Sequence, residues 1–128
     1  MYQSLELFQT AGEMARHAGA RQAVVARNIA NADTPGFQAQ MVAPFTDVYR
    51  AEGQMGLRMT RAGHLAGQAA GPTTAQAVTA TSPPSPNGNT VSIEEEMMNA
   101  IAVGREHSRA LAIYQHAMTV LRTSLGRN

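Results

Sequence analysis

Four histidines and one run of glutamates are the side chains of this chain best suited to hold a metal or move a proton. His17, His64, His107 and His116 are scattered along the sequence, and no two have the i,i+4 spacing that puts a ligand pair on one helix face. They are expected to be ordinary surface or interface histidines. Glu94, Glu95 and Glu96 are consecutive. On a helix, neighbours in sequence point in different directions, so they do not converge as an acid–base pair. Their place just after Ser92 suits a helix start, where carboxylates oppose the positive end of the dipole. The glycines match neither a phosphate-binding loop nor a dinucleotide fingerprint. No catalytic group, cofactor site or metal site is therefore expected, and the chain does not read as an enzyme.

The bulk composition narrows the remaining classes. The 128 residues suffice for one domain, and 44% are apolar, but only 5% are aromatic and Trp is absent. Aromatics supply much of the buried area of compact cores, so this chain is poorly equipped for a thick one. Its many alanines favour helices that approach closely. All ten basic residues are Arg, the net charge is +1, and the arginines are dispersed without interleaved aromatics. Nucleic-acid binding is not expected. Cys is absent, which excludes disulfides and thiolate chemistry. No stretch has the length of a transmembrane helix, and the first twenty residues lack a secretory leader's basic start and apolar run.

The elements come from periodicity. From about Ser4 to Ala32, Phe8, Ala11, Ala15, Ala18, Val25, Ile29 and Ala32 recur at helical spacing close to a heptad. Gly12 and Gly19 weaken that helix and suit close approach to a neighbour. It should end near Ala32 or Asp33, because Pro35 disfavours a helical Thr34 and Pro35-Gly36 is a turn signal. Phe37, Ala39 and Met41 alternate with glutamines, a short strand pattern, and residues 37–49 read as extended, with Phe45, Val48 and Tyr49 as a small apolar cluster.

Glycine and proline then dominate as far as Asn89, and residues 79–89 read as an irregular linker. A second helix opens at Ser92 with a capping box to Glu95. Its apolar face is expected to be Met97, Ile101, Leu111, Tyr114, Met118, Leu121 and Leu125, narrowed by Gly104 and Ser108, with Met97, Met98 and Met118 in helix packing. Gly126 suits its exit. Met41, Met55 and Met59 are candidates for contacts with other chains.

The expected fold is mainly α. Long N- and C-terminal helices (1–33 and 91–128) pack as a hairpin or coiled-coil-like pair around an extended, largely irregular Gly/Pro-rich middle (34–90) with short strands. At ~1.5 Å per residue each helix is a rod ~45 Å long.

Three stretches carry a resemblance. Asn28-Ile29-Ala30-Asn31-Ala32-Asp33-Thr34-Pro35-Gly36-Phe37 resembles the motif ending the N-terminal helix of the flagellar axial proteins, the rod, hook and hook-associated subunits. Its Asp33-Thr34-Pro35-Gly36-Phe37 version looks most like the proximal rod subunits. Met59-Thr60-Arg61-Ala62-Gly63-His64-Leu65 and Gly88-Asn89-Thr90-Val91-Ser92-Ile93-Glu94-Glu95-Glu96-Met97 are similar to two further elements of those subunits. The resemblance implies a bacterial structural subunit, exported unfolded by the flagellar type III apparatus without a cleaved leader. It would polymerise with its own copies and other rod proteins above an inner-membrane ring and export-gate adaptor, as part of the periplasmic drive shaft.

The residues expected to matter are then assembly residues. Phe8, Val25 and Ile29 would pack the first helix, with Leu111, Met118, Leu121 and Leu125 opposite. Asn28, Asn31, Asp33, Pro35, Gly36 and Phe37 would fix the turn leaving it, the asparagines bonding backbone at the helix end and Gly36 taking positive φ. The competing reading is a soluble helical adaptor or export chaperone of the same secretion system.

Overall fold

The computed structural model describes residues 2–55 and 75–126. Helix α1 spans Tyr2–Ala30, strand β1 Gln40–Val42, helix α2 Phe45–Met55, strand β2 Ala77–Thr79, and helix α3 Ile93–Ser124. The fold is mainly helical, with the two long terminal helices packed together, as the sequence led us to expect. The Met59–Leu65 element, with His64 and Met59, and the side chain of Met55 lie outside the described residues.

α1 and α3 run antiparallel. Phe8 lies against Tyr114 with ring centroids 4.3 Å apart, Arg21 pairs with Glu106, and Asn28 reaches Glu96, so partner numbers fall as α1 ascends. The seam is heptad-like. Ala11, Ala18 and Val25 recur every seven residues on α1, facing Val103, Ala110 and Ala117 on α3, and all six are buried. Small side chains let the helices approach closely but leave little apolar volume between them, so the core is thin and its stability modest.

The middle differs from expectation at two places. Residues 45–55 form a helix rather than continuing extended. Pro44 sits just before it, its carbonyl accepting from the N–H groups of Asp47 and Val48, while Asp47 lies in the first turn against the dipole. Phe45, Val48 and Tyr49 are therefore an i, i+3, i+4 set, with Phe45 buried and stacked on Tyr49. In the short antiparallel ribbon, Gln40 pairs with Thr79, Met41 with Val78 and Val42 with Ala77. Ala39 and Val42 are buried while Met41 faces out, so the alternation expected over Phe37, Ala39 and Met41 breaks where the strand begins.

The helix faces also shift. Ile29, Met97, Met98, Ile101, Leu111 and Leu125 are exposed, not part of the α1–α3 seam. The periodicity of α3 admits more than one apolar stripe, and the hairpin uses the narrower one through Val103, Ala110 and Ala117. A Cβ placed on Gly12, Gly19 or Gly104 would meet nothing within 4 Å, so close approach of α1 to α3 requires none of these glycines. Gly19→Ala should accordingly stabilise α1 by about 0.5–1 kcal/mol. A lower osmolyte concentration needed to bring the purified chain to full helicity by circular dichroism would register the gain; an unchanged or higher one would contradict it.

Candidate functional site: the junction of the two motifs

The exit from α1 is built by its own sequence. The Asn31 N–H reaches both Arg27 and Asn28 carbonyls, and Ala32 donates to Ile29, a tightening typical of a helix terminus. The Asn31 side chain donates to the Arg27 carbonyl at 2.8 Å and accepts from the Thr34 hydroxyl, the helix-end role expected of it. Phe37 N–H then closes on Thr34 O across Pro35-Gly36, with Gly36 at φ 71°. Asp33, Pro35 and Gly36 are exposed and Phe37 is half-buried.

What the sequence did not reveal is that this turn is completed from the far end of the chain. Asn89 is buried, and its amide nitrogen lies 2.7–2.9 Å from the carbonyls of Asn31, Ala32 and Thr34, its two N–H groups shared among the three. Its Oδ1 accepts from Val91 N–H. Gly36 N–H donates to Asn87 O, Thr90 N–H to Phe37 O, and Ala39 N–H to the Thr90 hydroxyl. The carbonyls of the turn that follows α1 are thus gathered by a side chain from the segment leading into α3. Gly88 takes φ 80°, and a Cβ on it would lie 3.4 Å from the Gly36 Cα, so two backbones meet where both are bare.

One turn back along α1, Asn28 is fully buried. Rather than capping its own helix, it pairs with β1: Nδ2 donates to Gln40 O at 2.7 Å and Oδ1 accepts from Gln40 N–H at 3.0 Å. The same amide donates to Glu96 Oε1 at 3.0 Å. This corrects the reading of the glutamate run as purely capping. Ser92 does cap α3, its hydroxyl accepting from Glu95 N–H, and Glu94 and Glu95 are exposed. Glu96 instead turns inward, and its Oε2 has no hydrogen-bond partner among the described residues. Burial pushes its carboxyl above the ordinary value; the Asn28 bond draws it partly back, and Glu95 adds to the rise.

His17 is a second correction. It is buried inside the hairpin, its ring edge-on to Phe45 at 5.6 Å, and neither ring nitrogen has a partner among the described residues. Burial holds it below the usual histidine range, Arg21 depresses it further, and Glu106 opposes both. Of the other expected positions, Val25 is buried, Phe8, Met118 and Leu121 are half-buried, and Ile29, Leu111 and Leu125 face outward. Among the described residues no cluster of three metal-ligating side chains exists, and no helix is long and apolar enough to cross a membrane.

Gly36→Val should strain the junction by at least ~1–2 kcal/mol, since φ 71° disfavours any side chain and a β-branched one most. Gly36→Asn, which tolerates that region and has open space around it, should be mild. Comparing the osmolyte midpoints of the two purified variants checks this, and equal shifts would overturn it.

Comparison with known proteins matches these elements. Residues 8–38, which contain most of α1 and its exit turn, match the family model described as "Flagella basal body rod protein". The flagellar basal body rod protein FlgB of Agrobacterium fabrum is 45% identical over 64 residues, 49% of this chain and 48% of the relative. FlgB of Escherichia coli K12 is 38% identical over 84 residues, 59% of this chain and 61% of the relative. The matches therefore span about half to three-fifths of the relatives' length. They bear out the resemblance read from the sequence.

Proposed function

We propose that this chain is a structural subunit of the bacterial flagellar basal-body rod, in its proximal part. It polymerises through its terminal helices with its own copies and other rod proteins into the periplasmic drive shaft and export conduit. Its partners at the base are the inner-membrane ring and export-gate adaptor, and it reaches the periplasm through the flagellar type III apparatus. The observation that carries this reading is the junction itself: the two terminal motifs that resemble those of rod proteins meet in a hydrogen-bonded junction around Asn28 and Asn89. Such a junction fixes how the helical pair is oriented relative to the middle segment, which a subunit in a repeating array requires. The exposed Ile29, Met97, Met98, Ile101, Leu111 and Leu125 supply apolar surface for neighbours. The thin core suits a chain that gains much of its stability on assembly.

The test is deletion of the gene followed by localisation of an epitope-tagged copy. Loss of swimming, restored by the tagged chain, with the tag at the base of the rod in purified basal bodies, is expected. Normal swimming with the protein confined to the cytosol would replace this reading with the adaptor or chaperone one.

A further inference from the structure

Beside Glu96, between α1, β1 and the start of α3, lies a cavity of about 150 Å³. Arg21, Val24, Gln40, Met41, Glu96 and Asn99 are among its lining residues. We propose that it receives an arginine side chain, Arg105 or Arg109, from the outer face of α3 of a second copy of this chain. This rests on the assembly proposed above and assigns one contact within it.

The cavity carries an unmet demand. Glu96 is buried, its Oε1 is taken by Asn28, and its Oε2 has no partner among the described residues. An ionised carboxylate only accepts, and a buried one without a cationic donor is costly. Arg21 borders the cavity, but its guanidinium is engaged by Glu106. Glu106 stands ten residues further along α3, and Arg21, held toward it through Nη1, makes no hydrogen bond to Glu96 Oε2. A cavity of this volume holds a group the size of benzene, and a guanidinium is smaller.

The same sequence supplies the complementary group. Every basic side chain here is arginine, so the donor a second copy offers is a planar fork suited to a carboxylate. Arg105 and Arg109 stand one turn apart on α3, are exposed, and face away from the stripe buried on α1. Around them on that outer side are Met98, Ile101 and Ala112, also exposed. The cavity rim presents exposed Met41 and Pro44, so the apolar flanks of the arginines meet apolar flanks of the cavity. The contact uses different surfaces on the two copies. It is heterologous and repeats instead of closing as a pair. Protonation of Glu96, favoured by its burial, is the alternative to filling the cavity, and an inserted arginine would return the carboxyl to its charged form.

The native chain lacks cysteine, so single cysteines report contacts without background. Asn99→Cys marks the cavity, and Ala112→Cys marks the outer face while leaving both arginines in place. The two variants, differently tagged, are co-expressed in the deletion strain, and purified basal bodies are treated with a short bis-maleimide. A product bearing both tags is expected, and adding Glu96→Gln, which preserves the bond from Asn28, should cut its yield about tenfold. An undiminished yield with Glu96→Gln would remove the carboxylate from the contact. Both tags in the basal body without a joint product, or Asn99→Cys joined only to a different protein, would overturn the second copy as occupant. Absence of both tags from basal bodies would instead defeat the rod assignment itself.

Discussion

Asn89→Ala should abolish swimming and shift the folding equilibrium of the purified chain by about 3 kcal/mol. Removing this amide takes the donor from the Ala32 carbonyl and the acceptor from Val91 N–H, while the Asn31 and Thr34 carbonyls keep the backbone N–H groups of Thr34 and Phe37. Burying an unsatisfied backbone group costs about 1–3 kcal/mol, and partial solvation of the vacated site returns some of the total. Asn89→Asp sharpens the test. It retains the acceptor for Val91 but places a carboxylate against three carbonyl oxygens, so it should be at least as harmful as alanine. The osmolyte concentration at which each variant folds, followed by helicity, measures the shift. Wild-type swimming by Asn89→Ala would show that the junction is not what orients the subunit.

Asn28→Ala should be similarly severe, about 2–4 kcal/mol at neutral pH, and its cost should depend on pH. The asparagine satisfies both backbone groups of Gln40 and supplies the one hydrogen bond that Glu96 receives among the described residues. The folded-state pKa of Glu96 is already raised above the ordinary carboxyl range, chiefly by burial, and losing the Asn28 bond raises it further. A raised carboxyl binds its proton more tightly in the folded chain than in the unfolded one. Its penalty is therefore largest above the folded pKa and fades as pH falls through it toward the unfolded value. The gap between wild type and Asn28→Ala should narrow over that acidic window.

His17 acts in the opposite sense. Its lowered folded pKa makes the chain lose stability as pH falls below about 6.5. It does so in both proteins alike, and their difference isolates Glu96. Paired osmolyte titrations across the window check this, and a gap that widens on acidification would refute the assignment of Glu96 as the buried, hydrogen-bonded carboxylate.

Local chemistry was legible in the sequence because it depends on near neighbours. Helical spacing announced α1 and α3, Ser92 announced the start of α3, and Pro35-Gly36 announced the stop after α1 and the positive φ at Gly36. The extended reading of residues 37–49 fails past Pro44, where the alternating pattern ends and Phe45, Val48 and Tyr49 have helical spacing. One signal for the junction lies in the sequence: Asn89 and Glu96 stand in the same motif-bearing stretch as the Ser92 cap, with more polar side chains than capping alone needs.

Sequence by itself thus determined that there are two long terminal helices, the cap that opens the second, the turn that follows the first, and which family the ends resemble. Only the tertiary structure decided which stripe of each helix is buried, for an Ala-rich helix offers several faces of nearly equal hydrophobicity, and the closest mutual fit selects among them. Only it joined Asn28 to Glu96 across 68 residues and Asn89 to the turn after α1 across 55–58. Burial turns those side chains from ordinary surface polars into obligatory partners, and burial is a property of the packed whole.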